Sequence, residues 1–156
     1  MPKAVVVDSV RTGLTKAFKG SFNLTRSDDM LAHCIDSLLD RNPNLSPEEV
    51  EDVVVGAATH AGEQDGNLAR LAVVLSKLPI TVAGVSINRF CSSGLQAIAI
   101  AANQIASGQT EVAIAGGVDS ISMRTRQEPG KNKQNQRLLD EKPDIFMAMG
   151  NTAEVV

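Results

Sequence analysis

Four short, mainly apolar runs punctuate the first 115 positions of the chain, at 4–7, 53–56, 82–87 and 112–115. All four read as strands, and the continuous β-branched run at 4–7 reads as one covered on both faces. Between them the period changes. Met30, Leu31, Cys34, Ile35, Leu38 and Leu39 recur at helical spacing and predict a helix over 28–41, with Cys34 inside the apolar stripe. His33 lies beside that stripe and reads as a surface or packing histidine. Ser46, Pro47 and Glu49 form a cap, a first-turn proline and a capping-box partner, opening a short helical turn before the second strand. A second helix is expected over 67–77, where Leu68, Leu71, Ala72 and Leu75 repeat before Pro79. A third runs from about 92 to 106 and is closed by Gly108. The glycine-bearing segments 11–26 and 58–66 are expected as loops. Strands alternating with helices define an α/β domain with a largely parallel sheet and right-handed crossovers.

The third helix is apolar nearly all round, through Ile98, Ala99, Ile100, Ala101, Ala102 and Ile105. A helix of that kind is expected to be buried on most sides. One sheet with its outer helices can hardly do that, so a further layer is expected, from another part of a longer chain or from a partner. After Met123 the pattern fades. Residues 124–142 are polar, with Pro129 and Gly130, and read as a loop or the entry to a separate subdomain. Residues 152–156 resemble the opening of another helix. The expected division is an α/β domain over 1–123 and the beginning of a second, loop-rich domain over 124–156.

Charge and composition narrow the classes. With 15 Lys and Arg against 18 Asp and Glu, the net charge is −3, and there is no Trp or Tyr. That argues against a nucleic-acid partner, which needs a basic face or stacking platforms. Arg124, Arg126, Lys131, Lys133 and Arg137 do cluster, as a solvated loop or as a phosphate contact. Two cysteines suit a reducing compartment better than a disulfide framework. No signal pattern follows Met1, and no apolar run reaches the ~18 residues of a membrane span. A soluble cytoplasmic protein is expected, with organellar import left open and no metal site.

Candidate chemistry concentrates at Cys91. It lies where a strand stops and the apolar helix begins, in Asn88-Arg89-Phe90-Cys91-Ser92-Ser93-Gly94-Leu95-Gln96-Ala97. A thiol at a helix N-terminus faces unpaired N–H groups and the positive end of the dipole, both of which favour a thiolate nucleophile. Ser92, Ser93 and Gly94 make a small turn that another molecule can approach closely. The alternative is a small buried hydrophobe, the usual lot of an unpaired cysteine.

The segment 88–97 closely resembles the acyl-enzyme signature of the thiolases, and other stretches resemble the same family in the same order. These are Val7-Asp8-Ser9-Val10-Arg11-Thr12, where Gly13 replaces a common proline, then Asn67-Leu68-Ala69-Arg70 and Gly116-Gly117-Val118-Asp119-Ser120-Ile121-Ser122-Met123. The last is Met147-Ala148-Met149-Gly150-Asn151-Thr152-Ala153-Glu154. The resemblance implies the N-terminal half of a thiolase-like fold, a layered, mostly parallel sheet with a buried central helix. It implies that Cys91 takes an acyl group as a thioester and that its N–H forms half of an oxyanion hole. It places Met149 near the acyl–pantetheine tunnel. Coenzyme A and acyl-CoA enter as substrates with no other cofactor, and the full-length protein would be a homodimer or homotetramer. Ala148, where short-chain biosynthetic members often carry histidine, inclines the resemblance toward the degradative 3-ketoacyl-CoA class. The family's activating histidine and second cysteine have no counterpart in Cys34 or His60. Asn67 and Arg70 read as structural, and Gly116 and Gly117 as either a tight turn or part of the site. Three readings stand: thiolytic or condensing acyltransferase, non-catalytic acyl-CoA-binding or lipid-binding relative, and a truncated product with an interaction role only.

Overall fold

In the computed structural model, which describes residues 3–124 and 135–156, three of the four apolar runs form one parallel sheet. Its strands are β1 (Asp52–Gly56), β2 (Ala83–Ile87) and β3 (Ala113–Gly117), in the order β2-β1-β3. The register sets Val54 opposite both Val85 and Ala115. As the central strand, β1 is covered on both faces, which is why its valines run without a polar interruption. Val53, Val54 and Val55 are all buried.

Successive β1 side chains face opposite layers. Val53 and Val55 pack with Leu31, Ile35 and Leu39 of α1 (Ser27–Arg41) and with Leu68, Ala72 and Val73 of α2 (Leu68–Leu75). Val54 faces Ala97 and Ala101 of α3 (Ser93–Ser107) on the other side. The helices therefore lie on both faces of the sheet. α2 begins where expected because the Asn67 side chain accepts from the Arg70 N–H at 3.0 Å. Arg70 in turn donates to the carbonyls of Ile80 and Val82, tying α2 to the approach to β2. Both residues are structural, as expected. α3 stops at Gly108, whose φ of 75° gives the left-handed helix end that glycine adopts most easily. Residues 46–49 make a single tight turn, in which the Glu49 carboxylate accepts from the Ser46 N–H at 2.7 Å.

Three expectations change. Residues 4–7 are not in a strand, and Val5, Val6 and Val7 are 75–82 % exposed. The segment forms one wall of a cleft of about 880 Å³, whose other wall includes the free edge of β3. Among the described residues no strand pairs with this β-branched run. Its end is held instead by Asp8, which accepts from Arg41 at 2.7 Å and from the Asn42 amide at 3.0 Å. The Asn42 hydrogen bond above all, then the Ser9 N–H and Arg41, holds the Asp8 carboxyl below the usual carboxylate range.

The second change concerns α3. Only Ser93, Ala97 and Ala101 are buried, while Leu95 and Ile98 are 72 % and 46 % exposed. The sheet covers one face of the helix and no described residue forms a layer over the opposite one. The third is a short helix, α5 (Gln136–Glu141), within the segment expected to be loop. It is supported by Gln136–Asp140 and Arg137–Glu141 contacts four residues apart. Residues 125–134, with Arg126, Lys131 and Lys133 of the basic cluster, lie outside the described residues. The expected final helix is present as α6 (Met149–Val155), and α4 (Ile121–Arg124) follows β3.

Candidate active site

The C-terminal ends of three parallel strands put their following loops on one edge of the sheet. Chain order and strand order diverge there, since β1 leads to β2 on one side and β2 leads back to β3 on the other. Crevices at such switch points are where open α/β sheets bind ligands. Cys91 lies on the loop leaving β2, two residues before the first residue of α3, and is exposed. It is therefore not the buried hydrophobe of the alternative reading.

Close packing of backbone on backbone holds α3 in place. A Cβ on Gly56, the last residue of β1, would lie 2.2 Å from the Ser93 carbonyl carbon. One on Gly117, the last residue of β3, would lie 2.6 Å from the Gly56 oxygen and 3.1 Å from the Gly94 Cα. No side chain fits between these three backbones, so the first turn of α3 rests directly on the strand ends. Of the two glycines left open by the sequence, Gly117 is required by this approach. Nothing lies within 4 Å of a Cβ at Gly116.

The turn bearing Cys91 is strained. Phe90 has φ of 47°, a left-handed conformation that costs a residue with a Cβ about 1–2 kcal/mol. Three sets of hydrogen bonds hold it. The Ser93 hydroxyl, 3 % exposed as a residue, accepts from the Arg89 N–H at 2.8 Å and donates to the Phe90 carbonyl at 2.6 Å. Asn88 accepts from the Phe90 N–H at 2.8 Å and donates to the Ala58 carbonyl at 3.0 Å. The Arg89 guanidinium hydrogen-bonds the Gln96 side chain one turn into α3.

Behind this loop lies a polar network that the sequence did not reveal. Asp119 accepts from the Ala58 N–H at 2.6 Å and from Gln64 at 3.1 Å. Gln64, 2 % exposed, also donates to the Thr59 carbonyl at 2.6 Å and accepts from the Ser120 N–H at 2.7 Å. The loops after β1 and β3 are thereby locked together. The glutamine and aspartate stand 55 positions apart, with no local pattern to pair them. The His60 Nε2 lies 3.1 and 3.3 Å from the Ala57 and Ile87 carbonyls, so it carries a proton and donates to backbone.

The other residues singled out from sequence lie elsewhere. Met149 opens α6 and is 73 % exposed, and α6 buries none of its residues. Cys34 is half-buried on α1, in the wall of the 880 Å³ cleft. Burial raises its thiol pKa, against a smaller opposing hydrogen bond with the Thr12 backbone. Among the described residues, no group of three or more His, Cys, Asp and Glu side chains is placed to hold a metal ion, and no helix is long and apolar enough to cross a membrane.

The glycines Gly56 and Gly117 end β1 and β3, and Gly94 lies in the first turn of α3 packed against them. The family model described as thiolase, N-terminal domain, matches residues 4–155, and the chain belongs to the thiolase family. It is 40 % identical over 156 residues to the 3-ketoacyl-CoA thiolase of Bacillus subtilis (strain 168), covering all of this chain and 39 % of that protein. It is 43 % identical over 122 residues to the 3-oxoadipyl-CoA/3-oxo-5,6-dehydrosuberyl-CoA thiolase of Escherichia coli (strain K12), covering 78 % of this chain and 30 % of that one. Against the beta-ketoadipyl-CoA thiolase of Pseudomonas knackmussii the identity is 43 % over 117 residues, 75 % of this chain and 29 % of that protein. The chain thus spans between about three-tenths and two-fifths of the length of these relatives.

Proposed function

We propose that the complete polypeptide carrying these residues is an acyltransferase that cleaves 3-ketoacyl-CoA with coenzyme A, or runs the reverse Claisen condensation, with Cys91 as the acylated residue. The exposure of Cys91 on a strained turn, held by hydrogen bonds of its neighbours at the switch point of the sheet, carries the reading. In cleavage, the Cys91 sulfur bonds to the 3-keto carbon of the substrate. The bond between carbons 2 and 3 then breaks, and acetyl-CoA leaves as carbon 2 takes up a proton. The thiol of a second coenzyme A attacks the cysteine thioester, releases the shortened acyl-CoA and returns the proton to the cycle. Negative charge develops on the carbonyl oxygen in both halves. The N–H groups at the start of α3 are the nearby donors suited to it.

The reaction also needs a base for Cys91 and an acid for the leaving carbon. His60 is committed to backbone carbonyls and Cys34 is held away on α1, so these groups are assigned to other parts of a longer chain. The names of the relatives support a coenzyme A thioester as substrate. We extend the proposal to Met149 lining the acyl–pantetheine path, to no cofactor beyond coenzyme A as substrate, and to a homodimer or homotetramer. For the oligomer, the support is that no described strand pairs with the outer edge of β2, where Asn67 donates to the Gly84 carbonyl, and that Leu71, Val74 and Ile80 are exposed. Sedimentation of the complete protein as a monomer would reject the oligomer alone.

The test is direct. The complete protein is mixed with acetoacetyl-CoA, quenched and digested, and the acylated peptide is located by mass spectrometry. The acyl group is expected on Cys91, and Cys91→Ala should leave no adduct. Acyl on Cys34, or none on a protein that binds acyl-CoA, rejects the assignment; the latter favours a non-catalytic binding relative.

A further inference from the structure

Left to itself, a phenylalanine does not hold a left-handed backbone, and the residue that follows it here is Cys91. The side chain best placed to enforce that conformation from outside α3 is Asn88. Its oxygen accepts from the Phe90 N–H and its nitrogen donates to the Ala58 carbonyl, on the loop after β1. Ala58 is itself fixed, because its N–H is held by Asp119 from the loop after β3. Asp119 is held by the buried Gln64, whose oxygen also takes the Ser120 N–H. The hydrogen-bonded path from Ser120 to Phe90 crosses all three strand-end loops and stops one residue before the sulfur. A hydrogen bond within the Asn88 turn alone would only shape that turn. The reach to Ala58 does more, since it registers the turn against the sheet.

We propose that Asn88 is a positioning residue for Cys91: by bridging the Ala58 carbonyl and the Phe90 amide it fixes where the sulfur is presented over the strand ends. The inference rests on the reading of Cys91 as the acylated residue. It concerns the placement of the sulfur and not contact with substrate, so its loss should fall on the acylation step and leave substrate capture largely intact. Misplacement of a reacting atom by an ångström costs roughly 100-fold in rate.

The experiment uses the complete polypeptide with acetoacetyl-CoA and coenzyme A, with kcat and KM measured beside quenched-flow detection of the Cys91 adduct. Asn88→Ala is expected to lower kcat and the rate of adduct formation roughly 100-fold, with KM close to that of the wild type. Adding Phe90→Gly to Asn88→Ala should recover part of that loss, because glycine takes the left-handed backbone without strain. A structural role alone would lower the folded fraction without this rescue. If Asn88→Ala does not accumulate as folded protein, Asn88→Asp carries the comparison, since it keeps the acceptor for Phe90 and loses the donor to Ala58; a fall in kcat with unchanged KM supports the proposal. Wild-type kcat in the variant tested, a change confined to KM, or a loss that Phe90→Gly fails to relieve overturns it. A wild type with no Cys91 adduct overturns the parent reading instead.

Discussion

The two cysteines of this chain are chemically separated by their surroundings. Cys91 is exposed on a turn, whereas Cys34 is half-buried on α1 with its thiol pKa raised by burial. The thiolate is the reactive form, so raising the pKa moves Cys34 reactivity to more alkaline solution. Iodoacetamide at neutral pH should therefore modify Cys91 first, with Cys34 following only as the solution is made alkaline; peptide mapping over a pH series checks the order. The folded state favours the neutral Cys34 thiol. Its contribution to stability is accordingly complete below the unfolded thiol pKa and declines as pH rises toward the folded one. The position of Cys91 between β2 and α3 was legible in the sequence because a strand ending, a small polar turn and a helix beginning meet within ten residues. The Gln64–Asp119 lock was not, since each partner is an ordinary polar residue until the fold brings them together.

Among the elements, α3 is the most informative, because its sequence and its packing disagree. Its composition predicted burial on most sides, and the sheet covers only the face containing Ala97 and Ala101. Composition reports the surroundings for which a helix is suited, while these residues provide just one side of them. In this chain Ala101→Asp should therefore be much the more damaging of two charge insertions. It leaves an unpaired carboxylate against β1 at a cost of several kcal/mol, about 3 or more, whereas Ile98→Asp points into space that is half open. Thermal melts of the two variants compare them. In the complete polypeptide the gap should narrow if Ile98 is covered there. Gly56→Ala probes the same junction from below. With its added carbon 2.2 Å from the backbone of Ser93, it must push α3 off the strand ends. The expected loss is about 3 kcal/mol, at the upper end of overpacking effects, and the melting temperature should fall with it. The three strands of the sheet were legible because their apolar runs are short, dense and bounded by turns. The run at 4–7 has the same appearance, and it fails to pair because pairing depends on a neighbour, which no local pattern encodes.

At the scale of the molecule, the N-terminal segment is held by polar ties more than by packing. Asp8 binds Arg41 and Asn42, and its pKa is lowered by those contacts. A carboxyl with a depressed folded pKa contributes stability above its unfolded pKa and loses it as pH falls through the folded one. Asp8→Asn, or acidification below the ordinary carboxylate range, should thus raise amide exchange over residues 4–12 while β1 stays protected; hydrogen-exchange mass spectrometry reads both regions at once. The same segment has a consequence in time. Translation proceeds from the N-terminus at roughly 5–20 residues per second. Val5, Val6 and Val7 therefore leave the ribosome well before β3, and among the described residues they have no strand partner when residue 156 has been added. For roughly 8–30 s at that rate the nascent chain displays a β-branched ribbon, joined after β3 is made by a strand edge that no described residue pairs with, of the kind that recruits foreign strands. A crosslinker placed at Val6 on ribosomes stalled at residue 156 should capture chaperones or other nascent chains, and one at Val54, sealed inside the sheet, should capture neither.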